Sequence, residues 1–296
     1  MTTTTMIPTM VNDTKQIVDS QRLTLIDQYL LTIEKLVNDV TPVKAPATWQ
    51  VGIDLGTADI QTVVVDGEGA PIAAFLDWAD VVQDGVVVDY FGACQIVRKQ
   101  LEKIELKLGC SVTEAVTSYP PGTDARISIN VVESAGVEVT KVIDEPASVA
   151  ALLDINSGAV VDVGGGTTGT AIIENGELVV SLDEPSGGRH VTLTIAGGMK
   201  ITIEEAEQLK RGGENDLVIA SMTKPVIEKM ADIVAGHITG YQPNAIYLTG
   251  GGTLISGFAQ VFKKRLPDID IIEFSKALYL TPLAIASYGL MIKGNS

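Results

Sequence analysis

An α/β fold of two facing half-domains is what this 296-residue sequence predicts, and three observations carry it. Val51-Gly52-Ile53-Asp54-Leu55-Gly56-Thr57 and Val160-Val161-Asp162-Val163-Gly164-Gly165-Gly166-Thr167 are copies of one device: an apolar strand running into an Asp, an apolar residue, then glycine and threonine. Each leads into a second apolar strand (Thr62 to Val65; Thr170 to Ile173) and a hairpin signal, Asp66-Gly67 or Asn175-Gly176. The turn falls one position later in the second copy, matching its extra glycine. Third, Gly250-Gly251-Gly252-Thr253 follows the buried strand Ala245 to Thr249 and precedes a predicted helix from Leu254 to Leu266.

The residue types point to a polyphosphate with a metal. Glycines at a strand-to-strand turn let backbone amides approach phosphate oxygens where a Cβ would intrude, and a threonine hydroxyl adds a donor. A carboxylate beside such a loop repels phosphate unless a cation lies between them, and Mg²⁺ held through waters is the usual one. The third cluster, at a strand C-terminus and a predicted helix N-terminus, stands where open α/β sheets bind nucleotides. Gly187-Gly188, after the β segment Leu178 to Leu182, is a weaker signal of the same kind.

Four segments resemble, in chain order, the phosphate-1, connect-1, phosphate-2 and adenosine motifs of the actin, Hsp70 and sugar-kinase superfamily. They are Gly52 to Thr57, Asp144-Glu145-Pro146, Asp162 to Thr167 and Leu248 to Thr253. The resemblance spans residues 50 to 292. It implies a two-lobed actin-like/Hsp70 ATPase-domain fold with duplicated RNase H-like lobes. Gln83 to Asp89, Gly56-Thr57-Ala58 and Ala206 to Lys210 are similar to the bacterial actin homologue MreB. Phe75 to Val82, Tyr119 to Asp124, Arg126 to Asn130 and Thr281 to Ser287 resemble the ethanolamine-utilisation protein J family, which is encoded with bacterial microcompartment genes and for which a chaperone role has been suggested.

The resemblance implies ATP and Mg²⁺ as ligands. Asp54 and Asp162 would hold the hydrated metal together with Glu145, which would also position or activate the attacking water; these three are the catalytic set. Gly56, Thr57, Ala58, Gly164, Gly165, Gly166 and Thr167 would grip phosphates. Glu207 and Lys210, three apart and so on one helix face, would hold the ribose, with Gly187, Gly188, Gly250, Gly251 and Gly252 completing the nucleoside side. Two departures are evident. No counterpart of the Hsp70 lysine at the γ-phosphate occurs between Ile72 and Asp89, and Arg189-His190 stands where an acid is expected after the glycine pair. Since phosphoryl transfer is mostly positioning and charge stabilisation, these predict slow or partner-stimulated ATP hydrolysis to ADP and phosphate.

Composition agrees. With 46% apolar residues the chain can bury a large core. A formal net charge of -16 disfavours nucleic acid and anionic membrane surfaces. No stretch reaches the roughly 20 apolar residues of a membrane span, and Met1 to Met6 lacks the features of a signal peptide. Cys94 and Cys110 stand singly and read as reduced thiols. His190 and His237 have no partners in sequence for a zinc site or a catalytic triad.

Organisation follows from the motifs. Residues 1–48 hold an amphipathic helix from about Thr14 to Asp39 and the Pro-containing linker Thr41 to Pro46. The helix is expected either to lie back on the core or to recruit a shell or cargo protein. Lobe I covers 49–158, with helices near Tyr90 to Leu108 and Thr123 to Ala135 and a strand at Ala115 to Ser118. Lobe II covers 159–280, and residues 281–296 return to lobe I. No peptide-holding β-sandwich is expected after Ile292. The function expected is a cytoplasmic, microcompartment-associated chaperone or assembly factor for ethanolamine-utilisation microcompartment enzymes or shell proteins. A self-associating actin-like scaffold and a reactivating factor for a cobalamin-dependent ammonia-lyase are the alternatives, with a small-molecule kinase disfavoured by length.

Overall fold

The computed structural model describes residues 18–83, 86–212 and 216–291. Helix α1 (Ser20–Leu36) precedes a first run of elements. These are β1 (Trp49–Leu55), β2 (Asp59–Asp66), β3 (Pro71–Trp78), a ribbon of β4 (Val82–Gln83) and β5 (Val86–Val87), α2 (Tyr90–Leu108), β6 (Glu114–Tyr119), α3 (Ala125–Ser134), β7 (Glu138–Asp144) and α4 (Glu145–Leu153). The second run is β8 (Ser157–Val163), β9 (Thr168–Glu174), β10 (Glu177–Glu184), α5 (Gly188–Met199), α6 (Ile203–Gly212), α7 (Asp216–His237), β11 (Ala245–Thr249), α8 (Phe258–Arg265), β12 (Asp270–Ile272) and α9 (Leu280–Met291).

The duplication seen in the motifs is a duplication of topology. The two five-stranded sheets run β3-β2-β1-β6-β7 and β10-β9-β8-β11-β12. In each, an antiparallel meander of three strands is extended by two parallel strands on the far side of the motif strand. Strands β1 and β8 are therefore central, which accounts for their nearly continuous apolar burial. The two hairpin turns differ. Asn175 and Gly176 both take positive φ, as a two-residue turn of primed type requires. In the first copy the positive φ falls on Gly69 rather than Gly67, and the Asp66 side chain closes a longer turn by accepting from the amides of Glu68 and Ala70.

Helix α1 lies on the core. Ile26, Leu30 and Ile33, spaced by four and three, are buried in a cluster that draws on both sheets, including Val63, Ala74, Val160 and Tyr247. It starts at the N-cap Asp19 and ends where Val37 bridges Ala74 and Asn38 bonds the backbone of Leu76, so the chain covers the edge strand β3. The observed helix is thus shorter than the predicted Thr14 to Asp39, of which residues 14–17 lie outside the described residues. Arg22 donates to the Leu152 carbonyl, Asp27 accepts from the Ser275 amide and hydroxyl, and Glu34 pairs with Lys276. A helix held in this way has its apolar stripe covered, and what it shows outward is mainly polar.

The end of the third glycine segment departs from its prediction. Gly251–Leu254 form a 3-10 turn, and α8 begins at Phe258 rather than Leu254, because Gly257 in the left-handed region interrupts the path. Helix α9 packs across β1, β2, β6 and α4. It comes so close to β1 that a Cβ on Gly52 would stand 2.3 Å from the Ala286 nitrogen.

Candidate functional site

Both motif strands end at one cavity of about 380 Å³, within the range of small-molecule sites. Strand β1 delivers Asp54 and then the loop Gly56-Thr57-Ala58. Strand β8 delivers Asp162 and then the loop Gly164 to Thr167. The loops meet closely: a Cβ on Gly165 would lie 2.8 Å from the Ala58 Cβ. Helix α4 opens with Glu145 directly after its N-cap Asp144, and Pro146 in the first turn costs no hydrogen bond.

Of the residues predicted from sequence, the structure brings onto the cavity wall Asp54, Gly56, Thr57, Ala58, Glu145, Asp162, Gly164, Gly165, Thr167, Gly188, Glu207, Lys210, Gly250, Gly251 and Gly252. Two predicted residues do not line it. Gly166 lies in the loop, and Gly187 packs behind it, where a Cβ would stand 2.6 Å from the Gly166 carbonyl carbon and the Thr167 nitrogen. The start of α5 braces the loop through its own amides, Gly188 donating to the Gly164 carbonyl and Arg189 to that of Gly165. Among the described residues the amides of Gly165 and Gly166 have no carbonyl partner, which suits a loop that cradles an anion.

The electrostatics are those of crowded acids, Asp54 and Asp59 buried and Glu145, Asp162 and Asp183 part-buried. Burial, reinforced by Asp59 and Asp162, holds the Asp54 carboxyl well above the usual carboxylate range. Burial, with Asp54, Asp162, Asp183 and Asp144 nearby, does the same for Glu145. Burial raises Asp162 to about 6 despite a hydrogen bond from Thr281, and Asp59 to about 6 despite one from Gln61. It raises Asp183 to about 7. Such a cluster is stabilised in its ionised form by a cation. Among the described residues no three His, Cys, Asp or Glu side chains gather tightly enough to hold a metal ion directly. Asp54, Asp162 and Glu145 are acids on one cavity wall whose charge a hydrated cation such as Mg²⁺ would offset.

On the other wall Lys210 donates to Glu207 at 2.7 Å and to the Thr192 hydroxyl at 2.9 Å, and Arg211 donates to the second Glu207 oxygen at 2.6 Å. Burial opposes ionisation of Glu207, but Lys210, Thr192 and Arg211 together outweigh it and hold the carboxyl below its ordinary value. The Arg211 guanidinium covers the Trp78 ring. Leu254, Ile255, Ile219 and Leu278 supply apolar wall beside Gly250 to Gly252.

Asp59, Asp183, Thr281, Trp78 and Arg211 line the cavity without having been singled out in the sequence. Only Arg211 had a readable signal, its position four after Glu207 on one helix face. His190 accepts from the Gly187 amide and His237 pairs with Thr170, so both histidines bond within the fold. Both cysteines are free, Cys94 buried.

Two facing copies of a meander-plus-parallel sheet, with a glycine-rich hairpin from each closing on one cavity, define the class: an actin-like α/β protein. Models of the MreB/Mbl protein and cell division protein FtsA families match residues 79–211 and 159–284. The ethanolamine utilization protein EutJ of Escherichia coli (strain K12) is 50% identical over 260 residues, 88% of this chain and 92% of that protein. The crystal structure of EutJ from Carboxydothermus hydrogenoformans superposes with a TM-score of 0.84 at 43% identity, covering 90% of this chain and 98% of the other. The chain belongs to the EutJ family. MreB5 of Spiroplasma citri bound to ADP shares the fold, with a TM-score of 0.67 at 20% identity over 84% of this chain and 98% of the other. Among the described residues no helix is long and apolar enough to cross a membrane.

Proposed function

We propose that the cavity binds ATP with Mg²⁺ and that the chain works in the cytoplasm as a nucleotide-switched chaperone or assembly factor for the ethanolamine-utilisation microcompartment or its enzymes. The observation that carries this reading is the convergence of Asp54 and Asp162, each at the end of a central strand, on a cavity whose floor is two glycine loops in contact. In it Asp54, Asp162 and Glu145 hold a hydrated Mg²⁺, whose chemistry is to neutralise phosphate charge. Glu145 orients the attacking water. The loops at Gly56 to Ala58 and Gly164 to Thr167 hold phosphates, and Glu207, Lys210 and Gly250 to Gly252 hold the nucleoside. The nucleotide-bound solved structures of MreB5, with ADP and AMPPNP, support a nucleotide as the ligand.

Turnover is slow in this reading. Lys210 and Arg211 are the cations among the described wall residues, and Glu207 engages both. A phosphoryl-transfer site without a free cation at the transferred group loses orders of magnitude in rate while keeping affinity. Calorimetric titration of Mg-ATP into the wild type and Asp162→Ala tests the reading. Binding by the wild type with loss in the variant is expected. Equal tight binding by both overturns the metal assignment, and no binding by the wild type overturns the nucleotide.

A further inference from the structure

We propose that Thr281 is a positioning residue that sets the separation of the two metal-facing aspartates through helix α9; this rests on the nucleotide reading above. Its hydroxyl donates to Asp162 Oδ2 at 2.7 Å, and the Thr249 hydroxyl lies 3.1 Å from it. Thr249 and Thr281 are both buried, so the chain of three oxygens runs from the interior to the part-buried Asp162 at the cavity wall.

What makes the contact more than local is the helix that carries it. Thr281 stands in the first turn of α9, yet the body of α9 packs on the first sheet and α4. Five residues on, Ala286 abuts Gly52, where no side chain larger than hydrogen fits, and Gly52 is two residues before Asp54 on β1. Gly289 faces the Gln50 side chain, whose Cγ would stand 2.4 Å from a Cβ there. A helix rises about 1.5 Å per residue, so about 7.5 Å of rigid rod links the oxygen on Asp162 to the strand that presents Asp54. The segment before α9 is tied to the same cavity: the Gly250 amide donates to the Ala277 carbonyl and the Gln61 side chain to that of Leu278. On its other side Asp162 packs against Gly250, where an added Cβ would stand 2.4 Å from its Oδ1. The Thr281 hydroxyl thus selects the Asp162 orientation and ties it to a helix seated against the opposite motif strand. A cation held by Asp54 and Asp162 would act on that helix through the Thr281 hydroxyl.

The test is calorimetry of ATP binding with and without Mg²⁺ on the wild type, Thr281→Val, which keeps the shape and removes the hydroxyl, and Thr281→Ser, which restores it. A hydrogen bond to a charged group is worth enough that Thr281→Val should lose about ten-fold or more in Mg-ATP affinity. Its affinity for ATP in EDTA should stay within about two-fold of wild type, and Thr281→Ser should recover most of the loss. An undiminished Mg²⁺ dependence in Thr281→Val overturns the proposal. So does an equal loss with and without the metal, which marks a merely structural role. Failure of the wild type to bind Mg-ATP sinks the nucleotide reading itself and the role of Thr281 with it.

Discussion

The Arg211 guanidinium stands 3.5 Å from the centre of the Trp78 ring, joining the end of α6 to the end of β3 across the cavity. Trp78 pairs with Asp59 in the β2–β3 ladder, so the contact lies at the strand ends next to the loop Gly56 to Ala58. A half-exposed cation–π pair is worth about 0.5–1 kcal/mol. Arg211→Ala is therefore expected to speed nucleotide release about two- to five-fold, measured by stopped flow with a fluorescent ATP analogue. In a Trp49→Phe background the same substitution should change the emission of Trp78, now the sole tryptophan. An unchanged release rate would remove the pair from any gating role.

The touching loops make a second prediction. Gly165→Ala places a methyl group 2.8 Å from the Ala58 Cβ and 3.1 Å from its nitrogen, and the backbone must part to admit it. Overpacking of this kind costs about 1–3 kcal/mol. Mg-ATP affinity should fall about ten-fold while the chain still melts cooperatively. Adding Ala58→Gly should restore most of the affinity, since it removes the opposing methyl. Equal affinities in the single and double variants would show that loop separation is immaterial.

Stability of the ligand-free protein should fall as pH rises from about 4 to about 7. Burial raises Asp59 and Asp162 to about 6 and Asp183 to about 7. In that window the folded chain holds protons that the unfolded chain, at about 3.9 for Asp, has already released. The folded state is favoured while these acids stay protonated and loses that advantage as pH climbs through their folded values. Under the proposed metal assignment Mg²⁺ would favour the ionised cluster, so the melting temperature it adds should be larger at pH 7.5 than at pH 5.5. Thermal melts across pH with and without Mg²⁺ decide it, and Asp183→Asn should flatten the ligand-free curve.

Helix α1 yields a prediction about its two faces. Leu30 is fully buried at the meeting of both sheets, so Leu30→Ala should cost about 2–5 kcal/mol in chemical denaturation. Deleting residues 1–45 strips that face from the core and should leave an aggregating protein. Leu25 and Leu31 are exposed, and charged replacements there should change stability by only about 0.5 kcal/mol. If α1 recruits a partner, Leu25→Glu with Leu31→Glu abolishes co-purification without unfolding the chain. Retained co-purification would leave α1 with its packing role alone.

Much of the fold was legible because its signals are local. A strand that must be buried on both faces reads as an apolar run, a turn that needs positive φ reads as Asn175-Gly176, and a helix with one wet face reads at three and four. Helix α2 runs over the predicted Tyr90–Leu108, and β11 over Ala245–Thr249. The edge strands were not legible: β12 is three residues long, and the seven residues of β7 are only partly buried, so neither reads as an apolar run.

The paired aspartates, their glycine loops and the acidic opening of α4 were determined by sequence alone, since each chemistry lies within a few consecutive residues. Asp183 shows what was not. An unbulged hairpin from Asn175-Gly176 sets Leu182 opposite Gly169. The irregularity between Leu178 and Val180 advances β10 by one residue, which brings Asp183 there instead and reverses the faces beyond it. Gly169, itself paired with Asp162, has no side chain to keep the two carboxylates apart. The contacts of Thr281 with Asp162 and of Arg211 with Trp78 likewise join distant segments. Tertiary structure decided these, because a hydrogen bond or a ring contact acts over a few ångströms of space and leaves no period along the chain.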